Sequence, residues 1–179
     1  MGESIVTKEV YINPLKEAAR QAREALAVLK NVMDTKIHFS TGNDNYETPD
    51  ALYKHYDDIY HFVLDAAADS HNHKCPVWFG LGGTEPDALT ADWPSWLKKG
   101  NIWMNPPYSR GLQAKFVNKA MFERTELHHV VCLLPARTDT KLFHETIQPF
   151  ARKIEFLRGR VKFKGAKAGA PFPSMIVVF

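Results

Sequence analysis

The run His129-Val130-Val131-Cys132-Leu133-Leu134 is apolar at every position after its first. A strand with one wet face alternates apolar and polar residues, so this run is of the kind buried on both faces. Such a strand needs a layer of structure above it and another below. Other short apolar runs, at residues 61–64, 77–79 and 102–104, alternate with segments at helical spacing. Thr48 and Pro49 suit the cap and first position of a helix running to about Tyr60. Residues 113–126 and 141–148 also read as helices. Residues 153–157 and 161–163 read as strands around Arg158-Gly159-Arg160, and residues 174–179 as a last one. The pattern predicts an α/β fold with a mostly parallel sheet and an antiparallel C-terminal hairpin.

At 179 residues the chain suits one domain with a full core better than two. Residues 14–33 place Leu15, Ala18, Ala22, Leu26 and Leu29 at helical spacing behind Pro14, so residues 1–33 read as an N-terminal helical extension. Residues 34–47 are polar and read as a linker or mobile loop, which leaves residues 48–179 as a single domain. No stretch nears the ~18 apolar residues of a membrane span, and the N-terminus lacks the layout of a secretory signal. Two cysteines in apolar surroundings, Cys75 and Cys132, suit a reducing compartment, the cytoplasm. The charge is divided. Residues 1–100 carry 10 Lys and Arg against 15 Asp and Glu, and residues 101–179 carry 13 against 5, so the two parts stand at −5 and +8. The basic part suits a polyanion, and it also reads as ordinary solvated charge.

Asn105-Pro106-Pro107-Tyr108 follows the apolar residues Ile102-Trp103-Met104. The two prolines fix φ and remove two N–H donors, so the turn offers carbonyls, to which Asn105 adds an amide oxygen. Tyr108 adds a ring on which a base can stack. This is a site for an amine attached to an aromatic ring. The lone pair of such an amine is delocalised, and accepting both of its hydrogens at Asn105 and Pro106 favours a more tetrahedral nitrogen. That lone pair can then point at a methyl group. Asparagine is no general base, so the protein contributes positioning and electrostatics. Ligands of open α/β sheets sit beyond the carboxyl ends of the strands, and Asp65, Asp87 and Asn105 each lie just past an apolar segment. From the residues alone the tetrapeptide also reads as a surface turn, Asp65 as a helix cap and Asp87 as a turn residue.

The ordered series is more specific than any one of its parts. It comprises Glu47-Thr48-Pro49, Leu64-Asp65-Ala66-Ala67-Ala68-Asp69, Asp87-Ala88-Leu89 with Trp93, and Asn105-Pro106-Pro107-Tyr108. Leu134-Pro135-Ala136-Arg137-Thr138-Asp139-Thr140 and Gly159-Arg160-Val161-Lys162-Phe163 complete it. From about Asn45 to Phe179 the chain resembles the phage-type DNA N-6-adenine methyltransferase family, among the amino-methyltransferases with an (Asp/Asn/Ser)-Pro-Pro-(Tyr/Phe) motif. The resemblance implies a Rossmann-like fold, S-adenosylmethionine as cofactor, and methyl transfer to N6 of an adenine flipped out of DNA. It implies catalytic roles for Asn105, Pro106, Pro107 and Tyr108. It also implies cofactor contacts at Tyr46, Thr48, Pro49, Asp65, Ala66, Ala67, Asp87 and Ala88. A phage enzyme of this kind would work in the bacterial or host cytoplasm, within restriction and modification. The loop after Asp65 departs from the Gly-rich Phe-x-Gly-x-Gly pattern, with alanines in its place.

Arg137 and Asp139, and the basic residues Arg158, Arg160, Lys162 and Lys164, are the expected nucleic-acid contacts. The first pair also reads as a helix cap with an ion pair, and the second group as a solvated edge strand guarded by cations. His71-x-His73-x-Cys75 offers three metal-capable residues without a fourth, so no metal is expected. Trp93, Trp96 and Trp103 read as core, as pocket wall or as flanks of a flipped base. No separate recognition domain follows the tetrapeptide, so sequence preference falls to loops, to the N-terminal helix or to the partner in a homodimer, and relaxed specificity is expected. The competing functions are a DNA-binding module without catalysis and transfer to another amine, cytosine N4 or a glutamine amide.

Overall fold

In the computed structural model, which describes residues 46–97, 99–109 and 111–179, the doubly apolar run becomes β4, Val130–Pro135, with all six residues buried. The expected N-terminal helix and most of the linker lie outside the described residues. On one side β4 pairs in parallel with β3, Asn101–Met104. Beyond β3 come β1, Phe62–Asp65, and β2, Val77–Trp78, both parallel to their neighbours. On its other side β4 pairs antiparallel with β6, Ser174–Val178, and β6 with β5, Lys153–Phe156. The order is β2-β1-β3-β4-β6-β5, a mixed sheet in which β6 runs against the rest.

Alternation along β4 divides the core into two layers. Val130, Cys132 and Leu134 join Ile102, Met104, Met175 and Val177 in one, whereas Val131 and Leu133 join Phe62, Trp103, Ile176 and Val178 in the other. The first layer includes Phe116, Val117 and Ala120, from the helix Leu112–Glu123. It also includes Phe143 and Ile147, from a π-helical segment, Phe143–Ile147, that continues as the short α-helix Gln148–Phe150. The second layer includes Tyr56 of the helix Asp50–Tyr60, here α1, and Phe163 and Ala170 from the connection between β5 and β6. Burying one Val, Leu or Ile contributes about 1.5–3 kcal/mol. The two layers therefore stabilise a strand that could not stand in water on either face.

Two expectations change. Residues 161–163 form no strand. Both edges of β6 are taken, by β4 and by β5, so Phe163 buries against other aromatic rings rather than through a ladder. The antiparallel hairpin is instead β5 and β6, joined through residues 157–173. Thr48 does not cap α1: Pro49 is the N-cap residue, and no side chain hydrogen-bonds there. Among the described residues no helix is long and apolar enough to cross a membrane.

Candidate active site

The chain passes from β1 outward to β2 and then back past β1 to β3, so the winding reverses between β1 and β3. In doubly wound sheets the ligand crevice lies at that reversal, beyond the carboxyl ends of the strands. Asp65 is the last residue of β1 and Asn105 the first after β3. A cavity of about 300 Å³ opens there, with Asp65 and Asn105 in its wall. Tyr46, Thr48, Ala67, Asp87, Ala88, Pro106 and Pro107 also reach it. Pro49, Ala66 and Tyr108 do not line it; Ala66 and Tyr108 are buried behind the wall.

Three hydrogen bonds fix the Asn105 amide. Its Nδ2 donates to the Tyr46 carbonyl at 2.6 Å and to Thr48 Oγ1 at 3.0 Å. Its Oδ1 accepts from the Tyr108 hydroxyl at 2.7 Å. A backbone carbonyl accepts and never donates, so the amide nitrogen must face Tyr46 and the oxygen must face away. The Tyr108 hydroxyl also lies 3.2 Å from the Leu133 carbonyl, and its single hydrogen serves one acceptor at a time. Burial, with Tyr46 and Cys132 close by, pushes the Tyr108 phenol well above its ordinary range, so it remains a donor. Its ring is covered by that of Tyr46.

Asp65 is buried, and each of its oxygens accepts a backbone N–H: Oδ1 from Ala67 at 3.3 Å and Oδ2 from Lys74 at 3.0 Å. The next element after it is β2 rather than a helix, so it caps none. Desolvation raises its pKa to about 6, against the opposing pull of those two N–H groups and of the nearby His73 and Lys74. Asp87 both bends the chain and faces the cavity, because its Oδ1 accepts from the Leu89 N–H at 2.9 Å.

The wall also contains residues that the sequence reading passed over. Lys74 is the one cation among the described residues that line the cavity. Its Nζ lies 2.6 Å from Asp50 and 3.4 Å from Glu47, and Glu47 is in turn 2.7 Å from Lys164. Phe79, Gly80 and Leu81 form another part of the wall, where β2 ends. Gly80 has φ of 134°, and a Cβ there would lie 1.9 Å from the Ala68 carbonyl oxygen. Gly80 thus lets the loop after β2 pack directly on the backbone of the alanine loop after Asp65. The model of the DNA N-6-adenine-methyltransferase (Dam) family matches residues 35–178.

The chain belongs to this family. It is 33% identical over 112 residues to a DNA N-6-adenine-methyltransferase of Escherichia phage T1, a match spanning 62% of this chain and 44% of that protein. It is 32% identical over 125 residues to a DNA N-6-adenine-methyltransferase of Haemophilus phage HP1 (strain HP1c1), covering 66% of each. The signal for the residues passed over was the run Gly80-Leu81-Gly82-Gly83 behind an apolar segment. Nothing in the sequence marked Lys74, since its place depends on Asp65, Glu47 and Asp50 converging.

The expected nucleic-acid contacts lie outside the cavity in this family member. Arg158, Arg160, Lys162 and Lys164 are exposed on the connection between β5 and β6, and Arg137 and Asp139 are exposed after β4. Lys164 ties its group to the cavity wall, by the ion pair with Glu47 and by a 2.9 Å bond from its N–H to the Glu47 carbonyl. His71, His73 and Cys75 do not converge: His73 stacks on Trp78 and Cys75 lies 3.2 Å from the Tyr53 hydroxyl. Trp93 is core, its Nε1 bonded to the Ala88 carbonyl, whereas Trp103 is buried in the cavity wall with an unpartnered Nε1.

Proposed function

We propose that the protein is a Rossmann-like, S-adenosylmethionine-dependent methyltransferase acting on adenine N6 in DNA. The observation that carries this reading is the Asn105 amide, held with its oxygen turned away from Tyr46 in the wall of a cavity shared with Asp65 and Asp87. Membership of the family supports it.

The cavity's chemistry fits the cofactor. Phe79, Leu81 and Phe116 give apolar surface for an adenine, Asp87 gives an acceptor for hydroxyls, and Asp65 gives an acid for a cationic methionine end. When bound, S-adenosylmethionine supplies an electrophilic methyl group. The chain's own task is to present the amine. Asn105 Oδ1 and the Pro106 carbonyl accept its two hydrogens, which frees the nitrogen lone pair, and no side chain removes a proton beforehand. A duplex holds N6 inside its groove, so the base is flipped out to reach the site. The exposed cations between β5 and β6 lie along the phosphates of the target strand. Two buried free thiols suit the cytoplasm of a bacterium or phage host.

The test is a thermal unfolding series with S-adenosylmethionine, followed by digestion of treated DNA and identification of the methylated base. Ligand at about 100 times its dissociation constant is expected to stabilise the fold by about 2.7 kcal/mol. N6-methyladenine is expected in the digest, and Asn105→Ala should abolish it while the variant stays folded. Salt-dependent DNA binding without a cofactor effect would point instead to a DNA-binding module. Methylcytosine or a methylated glutamine amide would move the reaction to another amine.

A further inference from the structure

The bonds around Asn105 lead one step beyond that reading, and the step rests on it. We infer that Thr48 is a positioning residue, whose hydroxyl sets the rotation of the Asn105 amide and so aims its oxygen at the substrate amine.

Thr48 is 3% exposed and lies two residues before α1, one position outside its N-cap, Pro49. It makes no cap bond here. Its Oγ1 accepts from Asn105 Nδ2 instead, 57 residues away in sequence. The terminal torsion of an asparagine is broad, so one hydrogen bond leaves the amide free to swing about that bond. The Tyr46 carbonyl is such a pivot, and the Tyr108 hydroxyl on the amide oxygen has a second acceptor in reach, the Leu133 carbonyl. An NH2 group has two hydrogens, and the second goes to Thr48, which restricts the swing from the nitrogen side. The oxygen then has one lone pair facing Tyr108 and one left for a substrate.

A flipped amide would set its oxygen against the Tyr46 carbonyl, acceptor against acceptor. Tyr46 therefore decides which way round the amide sits, and Thr48 decides its angle. Pro49, which lacks an N–H, follows Thr48 directly and is the N-cap residue of α1. Thr48 is thus held by a rigid neighbour rather than by a cap bond of its own.

Thr48→Val keeps the shape and removes the hydroxyl, and Thr48→Ser restores the hydroxyl without the methyl. Thr48→Ala replaces the valine variant should that one not fold. Expected for the hydroxyl-less variant is a fall in kcat of about 10- to 100-fold, from loss of the hydrogen bond that aims the acceptor, with KM for S-adenosylmethionine within about twofold. Thr48→Ser is expected to recover most of kcat. Equal losses in both variants, or full kcat in the hydroxyl-less one, would overturn the inference.

A second arm reads the lock without any turnover. In 15N-labelled protein the Asn105 side-chain amide, assigned by its absence from Asn105→Ala, is expected to exchange slowly with solvent in the wild type and in Thr48→Ser. It should exchange at least about tenfold faster without the hydroxyl. Unchanged protection would also overturn the inference. A wild type that methylates no DNA base would instead defeat the functional reading, and the exchange arm would still show whether the lock exists.

Discussion

The ring of Tyr46 lies over the ring of Tyr108, with centroids 5.2 Å apart and planes 26° from parallel. Phe163 and Phe172 close on both rings from the side. One residue thus covers the tyrosine of the tetrapeptide with its side chain and orients the asparagine with its carbonyl. Tyr46→Ala removes the ring and keeps the carbonyl. Aromatic pairs are worth about 0.5–1.5 kcal/mol each beyond area, and the half-buried Tyr46 makes three, so a loss of about 2–3 kcal/mol is expected in urea unfolding. Tyr46→Phe should lie within about 0.5 kcal/mol of the wild type. An alanine variant of wild-type stability would mean that the stack does not hold this segment.

Asn105→Asp tests the amide's orientation. A carboxylate has no N–H for the Tyr46 carbonyl and sets an acceptor against it, whereas the Thr48 hydroxyl can turn and donate. Leaving such groups unsatisfied costs about 1–3 kcal/mol, and methyl transfer should fall with it. Denaturant unfolding of the two proteins side by side is the check. Equal stability would show that the nitrogen does not face Tyr46.

Asp65 gives a pH dependence of definite sign. Its folded pKa, about 6, lies above the ordinary 3.8 because the carboxylate is desolvated. The protonated form is therefore favoured by folding. Its stabilising contribution is whole below about pH 4 and is lost as pH rises through about 6, on the order of 3 kcal/mol in all. Asp50 and Glu155, lowered by their lysine partners, act in the opposite sense. The contribution of Asp65 is therefore read as the difference between wild type and Asp65→Ala. That difference is expected to shift against the wild type from pH 4 to 7.5, and a difference flat in pH would refute it. Calorimetric titration of S-adenosylmethionine should show the reverse trend, with affinity rising up to about tenfold per pH unit until pH 6, if its cationic end meets the ionised form.

Gly80→Ala is expected to cost at least about 2 kcal/mol, from the strain of an alanine at φ of 134° and from the clash with Ala68. Gly111→Ala shares the positive φ but meets nothing within 4 Å. The comparison separates the clash from the backbone strain by thermal unfolding. A change at Gly80 no larger than at Gly111 would show that the two loops can part at little cost.

Much of this architecture was legible in the sequence, and the reason is burial. The run from Val130 to Leu134 could only be central, and the tetrapeptide after Met104 could only be a rigid turn at a strand end. Asp65 and Asn105 were legible as strand-end groups because the α/β pattern is local, whereas Asp87, expected at a third strand end, lies in the loop nine residues beyond β2. What stayed hidden depends on pairing between distant segments. Thr48 looked like a cap because its neighbours are a proline and a helix, and no local rule shows that an asparagine at position 105 takes its hydroxyl. Val161 and Phe163 alternate like strand residues, yet β6 has no free edge to offer them. Lys74 and Gly80 acquire meaning only when the loops after β1 and β2 meet.

β6 comes last of the six strands in sequence and lies between β4 and β5. While the chain is folding, β2, β1, β3 and β4 can zip together in their parallel half, but β5 has no mate until β6 arrives. During that interval β4 shows an open hydrogen-bonding edge lined with valine and leucine, and such edges recruit strands from other molecules. The insertion of Ser174–Val178 is what closes that edge. At high concentration the failure expected from this order is exchange of that strand between copies, in competition with the rate at which the segment finds its own slot.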